Sequence, residues 1–193
     1  RIGSEVYHAL HKIILSRGLS TGIGHEGGYT PKLTSNVEAM NLVMDAIKMA
    51  GYEAGKDCYI AIDVAASELL NDLHHYVLPI ENTSHDTRSM IEYLSNWVTK
   101  FPLASVEDGL GQDDWDGWER MTKMIGGNVQ IVGDDLYATN PKRLAKGIKQ
   151  CSSNAILVKP NQIGTLTETI AVIDQAKRAG WGTIISHRSS DTE

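Results

Sequence analysis

The sequence has little of several features that would place a protein in a specialised class. It contains only two cysteines among its 193 residues, Cys58 and Cys151, and they lie far apart. A disulfide framework is therefore not expected, and the predicted location is the reducing cytoplasm. No apolar run approaches the ~20 residues that a membrane-spanning helix requires. The first residues do not resemble a signal peptide.

An excess of basic residues is also absent. The chain has 18 lysines and arginines against 24 acidic residues, which gives a formal net charge of −6. No basic stripe is present that could follow a phosphate backbone, so nucleic acid is not a predicted partner. One basic cluster fits the solvated face of a single predicted helix. Its members are Lys142, Arg143, Lys146 and Lys149.

The length and the two ends of the chain predict an incomplete unit. With 193 residues the chain can bury a core of its own, but a complete eight-unit β/α barrel typically needs ~250 residues. The chain opens inside a helical pattern, Ile2 to Leu15, without an initiator methionine. It stops directly after a predicted strand. We therefore expect a fragment of a longer protein.

Six apolar segments are each followed by a polar residue that could take part in catalysis or metal binding. The last four of these polar residues are roughly 25 to 30 residues apart along the chain. A strand, a returning helix and the next strand together take ~30 residues. This spacing places polar groups at the ends of successive parallel strands, where β/α barrels carry their function. The six residues are Glu26, Asp63, Glu107, Asp134, Lys159 and His187.

The alternation of strand and helix patterns predicts an α/β fold with a parallel sheet, and hence a partial β/α barrel. A further strand is expected before Glu26. The polar stretch 71–86 contains three histidines, but no cysteine or carboxylate cluster accompanies them. A solvated hairpin or loop is therefore predicted there. Predicted strands are Tyr59–Val64, Leu103–Val106, Val129–Val132, Ala155–Val158 and Thr183–Ile185.

Three carboxylates stand at successive strand ends: Asp63, Glu107 and Asp134. Carboxylates brought together repel one another unless a cation neutralises them. Mg²⁺ is the natural partner, because it takes a few protein carboxylates together with substrate oxygens. The alternative for each residue alone is a cap of the following helix. Asp108 and Asp135 follow two of them directly, and we expect these to cap or support.

Lys159 leaves an apolar strand at the same edge, where a lysine can serve as a general base. The alternative is a surface lysine. His187, Arg188 and Ser189 close the series; arginine binds phosphate or carboxylate with two hydrogen bonds, and serine adds a hydroxyl. A purely structural cluster is the alternative. Glu26 lies between glycines that would let its carboxylate project into a pocket, although Gly-rich loops are common.

These motifs together resemble the enolases (phosphopyruvate hydratases) along essentially the whole chain. The segments that carry the resemblance are RIGSEVYHAL, the ASE of IDVAASE, SVEDGLGQDDW, GDDLYATNPKR, LVKPNQIGTLTET and AGWGTIISHRS. KPNQIGTLTET and SHRS are the most specific of them. The resemblance implies that residues 1–193 are part of a TIM-type β/α barrel, without the capping N-terminal domain and the last barrel unit of the family. On its own such a fragment is expected to be inactive.

The resemblance also implies a reaction and the residues that perform it. Enolases are Mg²⁺-dependent lyases of glycolysis that dehydrate 2-phosphoglycerate to phosphoenolpyruvate, and their superfamily uses a lysine or histidine base with one or two Mg²⁺ ions. A homodimer or higher homo-oligomer is implied for the complete protein. In the enolase pattern, Asp63, Glu107 and Asp134 match the Mg²⁺ ligands. Lys159 matches the base at carbon 2, and Glu26 matches the acid at the carbon 3 hydroxyl. His187 matches a histidine beside the substrate, and Arg188 and Ser189 match residues that contact the phosphate.

The chain departs from the family pattern at a few positions. His25 stands where the family usually has Asp, Gly109 where it has Pro, and Ser190 and Asp191 where it has Gly and Glu. These departures motivate an alternative: a catalytically weak or inactive enolase-like protein with a binding or structural role. A superfamily member acting on another carboxylate is a third interpretation, which the specific motifs disfavour.

Overall fold

The computed structural model describes residues 1–188, and backbone contacts divide them into two compact units. The first unit comprises residues Arg1–Ile60 and Leu78–Thr83. The second comprises Ala61–Val77 and Ser84–Arg188. Ser189, Ser190 and Asp191, which the sequence analysis singled out, lie outside the described residues.

Two helices build the first unit: α1 (Ile2–Ser16) and α2 (Asn36–Met49). Ser35 caps the N-terminus of α2, since its side chain accepts a hydrogen bond from Glu38 N at 3.2 Å. Such a cap satisfies a backbone N–H that the helix itself leaves without a partner. The helices bury one apolar stripe each against the other. The shared cluster consists of Ala9, Ile13, Leu42 and Ala46.

A five-stranded sheet organises the second unit. Its strands are β1 (Ile60–Asp63), β4 (Leu103–Glu107), β5 (Gln130–Gly133), β6 (Ala155–Val158) and β7 (Gly182–Ile185). They are neighbours in the order β1-β4-β5-β6-β7. The pairs β4–β5, β5–β6 and β6–β7 are parallel. In the described residues the sheet is open, with β1 and β7 at its edges. The predicted α/β fold with a partial barrel is thereby confirmed.

Helices alternate with these strands, and polar side chains cap their N-termini. Asp86, Asp114, Asn140 and Thr165 each accept a hydrogen bond from a backbone N–H in the first turn. Every residue of β6 is buried, which fits a parallel strand that is covered on both faces. The helices are α3 (Thr87–Lys100), α4 (Trp115–Ile125), α5 (Pro141–Gln150), α6 (Pro160–Ile163) and α7 (Leu166–Arg178).

Other elements complete or correct the predicted order. The stretch 71–86 contains the short strands β2 (Tyr76–Leu78) and β3 (Thr83–His85), which pair with each other as expected for a hairpin. The prediction of a strand before Glu26 was wrong. Among the described residues there, Ile23 and Tyr29 form a single isolated bridge. None of the helices in residues 1–188 is long and apolar enough to cross a membrane.

Tyr137 fills a space between β5 and α5 that only glycines leave open. A Cβ atom on Gly147 would lie 2.4 Å from the Tyr137 hydroxyl, and one on Gly133 would lie 2.5 Å from its ring. The ring cannot move aside easily, because it is fully buried and its hydroxyl lies 2.7 Å from Ser153 Oγ. Both glycines are therefore packing requirements of this layer.

We expect Gly147→Ala to lower the free energy of unfolding. Overpacking a core costs about 1–3 kcal/mol, and the better helix propensity of alanine returns only ~1 kcal/mol of it. The difference is a net loss of up to about 2 kcal/mol, which should appear in chemical denaturation. Gly127→Ala is the matched control, because nothing lies within 4 Å of a Cβ at that position. Equal stability of the two variants would contradict the packing argument.

Candidate active site

The parallel sheet brings four of the predicted site residues to one edge. Asp63 and Glu107 are the last residues of β1 and β4, while Asp134 and Lys159 directly follow β5 and β6. These four strands are consecutive neighbours in the sheet. The strand-end positions inferred from the spacing of the sequence are thus the positions found in the structure.

Asp134 and Lys159 form the closest contact of this edge. Lys159 Nζ lies 2.5 Å from Asp134 Oδ2, and the two side chains are only 20% and 9% exposed, respectively. The other oxygen, Asp134 Oδ1, accepts a weaker hydrogen bond from Gln162 Nε2 at 3.4 Å. Partial exclusion of water strengthens such a charged contact relative to a surface pair.

Neighbouring carboxylates perturb one another at this edge. Partial burial raises the pKa of Glu107 to about 7, with further contributions from the charges of Asp63, Asp134 and Asp108, while Lys159 opposes the shift. Desolvation by the surrounding protein also raises the pKa of Asp63, and the charge of Asp134 adds to this shift. The Asp63 residue as a whole is nevertheless exposed. Crowded carboxylates of this kind favour the binding of a cation.

Asp108 supports the neighbouring turn, as expected for a residue that follows a strand-end carboxylate. Its Oδ1 accepts the backbone N–H of Asp134 at 3.0 Å, and its Oδ2 accepts that of Asp135 at 2.8 Å. Burial nonetheless raises the pKa of Asp108 to about 7, while these two N–H groups act in the opposite direction. Both oxygens hold the backbone that presents Asp134.

Two sets of carboxylates on this edge have the chemistry to hold a divalent cation. Oxygen atoms of Asp108, Asp134 and Asp135 lie within 4.8 Å of one another. Because the oxygens of Asp108 are engaged by backbone N–H groups, that residue is better suited to orient Asp134 than to bind metal. The second set is Asp63, Glu107 and Asp134, which end or directly follow three neighbouring strands and offer the hard oxygen atoms that a divalent cation prefers.

Arg143 joins the two loops that carry this edge. Its Nε donates to Leu136 O at 2.5 Å, and its Nη2 donates to Gln112 O at 2.6 Å and to Asp113 Oδ1 at 3.0 Å. Its guanidinium also lies 5.1 Å from the ring centre of Trp115. Lys142, Lys146 and Lys149 are exposed on α5 as predicted, whereas Arg143 is half-buried and bonded to both loops. Its position in the first turn of α5 gave no sequence signal for these contacts.

Glu26 belongs to the first unit, where it lies in a tight turn. Gly24 N donates to Gly28 O at 2.9 Å, and Gly27 N donates to Gly24 O at 3.0 Å. Gly27 has a φ of +79°, the left-handed conformation that glycine adopts at little cost. Tyr7 of α1 anchors the turn by donating its hydroxyl hydrogen to Gly27 O at 3.0 Å. The glycines thus shape the loop as predicted, although no parallel strand precedes it.

His187 and Arg188 follow β7, the edge strand beside β6. Both residues are exposed. The ladder between the strands continues to the residue before them, because Ser186 N donates to Val158 O at 3.0 Å. The predicted position of these two side chains at a strand end is therefore correct, while Ser189 lies outside the described residues.

A family model described as "Enolase, C-terminal TIM barrel domain" matches residues 1–193, the whole chain. This chain belongs to the enolase C-terminal domain family. Enolases generally depend on a metal ion, and the acidic edge described above offers oxygen ligands for one. The open five-stranded sheet accounts for part of the barrel that characterises the enolase domain.

The departure from the enolase pattern at Gly109 is accommodated by packing. A Cβ atom at this position would lie 2.9 Å from Leu94 Cδ1 and 3.0 Å from Met121 Sδ. Both neighbours are fully buried. Their side chains occupy the space that a larger residue at position 109 would need, so the turn after Glu107 is well packed without proline.

Replacing Arg143 by Met should destabilise the second unit. The substitution removes the donors to two backbone carbonyls, and unsatisfied polar groups of this kind cost about 1–3 kcal/mol each when buried. Since Gln112 is exposed, we expect a total loss of about 1–3 kcal/mol in chemical denaturation. Lys142→Met removes the same charge from an exposed neighbour and should change stability by less than about 0.5 kcal/mol. If both variants lost the same free energy of unfolding, the loss would come from the removed charge and not from the hydrogen bonds of Arg143.

Proposed function

We propose that this chain contributes to an enolase that dehydrates 2-phosphoglycerate to phosphoenolpyruvate, the lyase step of glycolysis. The observation that carries the proposal is the contact between Lys159 Nζ and Asp134 at the ends of adjacent strands. It pairs a lysine suited to proton transfer with a carboxylate suited to metal binding. The family match and the resemblance of the strand-end motifs support the same reaction.

Lys159 is proposed as the base. Its uncharged amine would accept the proton from carbon 2 of the substrate, which leaves the bonding electrons on the carbon framework. The resulting ammonium would lie 2.5 Å from the Asp134 carboxylate, which stabilises the new positive charge. Limited exposure of both side chains reduces competition from water for this contact.

Asp63, Glu107 and Asp134 are proposed to hold Mg²⁺. Their number and oxygen chemistry match the preference of this ion for a few carboxylates plus substrate oxygens. When bound, Mg²⁺ would supply positive charge close to the substrate carboxylate, where negative charge increases as the proton leaves. Burial raises the pKa of Glu107 to about 7, and the neighbouring charges of Asp63 and Asp134, which a bound cation would offset, raise it further.

Glu26 is proposed as the acid that completes the reaction. Its carboxylic acid would give a proton to the hydroxyl on carbon 3 as the C–O bond breaks, so that water leaves and the double bond forms. His187 would lie beside the substrate, and Arg188 and Ser189 would bind its phosphate. Arginine suits this task because its planar guanidinium offers two parallel N–H donors to phosphate oxygens.

We expect Glu107→Gln to weaken Mg²⁺ binding in the intact protein. The substitution replaces an anionic ligand by a neutral amide of nearly the same shape, and affinity should fall at least tenfold, about the lower limit for the loss of a supporting contact. Isothermal titration calorimetry with MgCl₂ measures the change. Asp116→Asn removes the same charge from an exposed residue of α4 and serves as the control. Unchanged affinity in Glu107→Gln would contradict the ligand assignment.

Lys159→Ala and Glu26→Gln should separate the two proton transfers. In the intact enzyme, Lys159→Ala should abolish exchange of the carbon 2 hydrogen with solvent deuterium. Glu26→Gln should slow dehydration yet retain part of that exchange, because proton removal precedes the loss of hydroxide. Losing a general acid or base typically costs 10²–10⁴ in rate. NMR of the recovered 2-phosphoglycerate measures the exchange.

The control for this pair is the wild-type protein under the same conditions. Exchange at the wild-type rate in Lys159→Ala would remove Lys159 as the base. An intact wild-type protein that binds 2-phosphoglycerate with neither exchange nor dehydration would instead support the enolase-like protein with a binding role.

A further inference from the structure

The hydroxyl group of Thr139 lies in a chain of hydrogen bonds that connects Lys159 with Asp134. The residue is fully buried, in the loop between β5 and α5. Its Oγ1 accepts the backbone N–H of Lys159 at 3.0 Å. The same oxygen lies 2.6 Å from Gln162 Oε1, to which it donates its hydrogen.

The direction of these hydrogen bonds follows from the number of hydrogens available. A backbone N–H can only donate, so the hydroxyl accepts from Lys159 and uses its one hydrogen for Gln162. Gln162 must then present its amide oxygen to Thr139 and its NH₂ group to the other side. That NH₂ group lies 3.4 Å from Asp134 Oδ1, where it donates to the carboxylate.

The contacts close a ring around the proposed base and metal ligand. Thr139 fixes the backbone of Lys159 and the orientation of the Gln162 amide, and Gln162 contacts Asp134. Lys159 Nζ completes the ring at the second oxygen of Asp134. A carboxylate held at both oxygens has a fixed orientation, which a metal site and a proton-transfer site both require.

We propose that Thr139 and Gln162 are positioning residues that hold Lys159 and Asp134 in their working geometry. The inference rests on the proposed function, since it refers to the base and metal ligand assigned above. Neither residue needs to contact substrate. Their effect would pass through the backbone of Lys159 and the carboxylate of Asp134.

The backbone at Thr139 supports this assignment. Its φ is +54°, and Ala138 before it has a φ of +45°. Left-handed conformations are unfavourable for a β-branched residue and cost on the order of 1–3 kcal/mol. Glycine would relieve that strain but would lose both hydroxyl contacts. The hydroxyl group therefore explains why threonine is suitable at this position.

Thr139→Val tests the proposal, because valine keeps the shape and the β-branch but lacks the hydroxyl. In the intact enzyme, we expect kcat for 2-phosphoglycerate with Mg²⁺ to fall 10- to 100-fold, the range for residues that orient metal ligands, while KM changes little. The backbone amide of Lys159 should exchange with deuterium at least tenfold faster. The Ser186 amide is the internal control, since it donates to Val158 O instead.

Thr139→Ser restores the hydroxyl and should recover most of kcat and the protection of the Lys159 amide. Wild-type kcat in a folded Thr139→Val protein would overturn the proposal, as would an unchanged Lys159 amide. If Thr139→Val does not fold, half-buried Gln162 provides the second test. Gln162→Met should reduce kcat without raising KM, and an unchanged kcat would equally overturn it.

The same measurements distinguish failure of this proposal from failure of the proposed function. An intact wild-type protein without 2-phosphoglycerate turnover would remove the proposed function. Amide exchange at Lys159 and calorimetric Mg²⁺ affinity would then decide the positioning role without turnover. A 10-fold or greater loss of Mg²⁺ affinity in Thr139→Val supports it, and unchanged affinity with unchanged amide exchange overturns it.

Discussion

Asp63, Glu107 and Asp134 meet at one edge of the sheet because the strands that carry them are neighbours, and their negative charges must be compensated there. Two unit charges 4 Å apart interact by about 4 kcal/mol at an effective dielectric constant of 20, so several carboxylates cannot share this edge at no cost. Lys159 neutralises one of them directly. Burial raises the pKa of Glu107 to about 7, and the charges of Asp63 and Asp134 raise it further. The proposed divalent cation would offset these charges, and this demand connects the fold to the proposed chemistry.

The loops that follow the strands respond to the same demand. Asp108, Ala138 and Thr139 all adopt left-handed backbone conformations that are unfavourable for residues other than glycine. Contacts made by two of these side chains hold the loops in place: Asp108 accepts two backbone N–H groups, and Thr139 bridges Lys159 and Gln162. Arg143 adds a link between the loop after β4 and the loop after β5. These contacts hold the loops that follow β4 and β5 in place, as the proposed site requires.

Local patterns predicted five of the strands and the strand-end positions of Asp63, Glu107, Asp134 and Lys159, because apolar periodicity acts over a few residues. Contacts between distant segments carry no such signal. The ring through Thr139 and the Arg143 link depend on loop conformations that propensity does not determine. The strand expected before Glu26 was wrong for a related reason: its glycines form a turn held by Tyr7, a contact that spans 20 residues. Family resemblance assigned roles to the site residues, whereas the supporting residues became visible only in three dimensions.

The free energy that the carboxylates at the sheet edge cost the folded state bears on the choice between an active enolase and an inactive relative. A protein that needed only its fold would be more stable with an amide or apolar residue in place of Glu107, since the protein around it disfavours the charged form. Buried groups that lower stability are typical of sites where activity requires them. The departure at Gly109 does not point the other way, because Leu94 and Met121 fill the space beside it and leave the turn after Glu107 well packed. The chain therefore keeps the costly carboxylates and supports them with Asp108, Thr139 and Gln162, an arrangement that a purely structural role would not require.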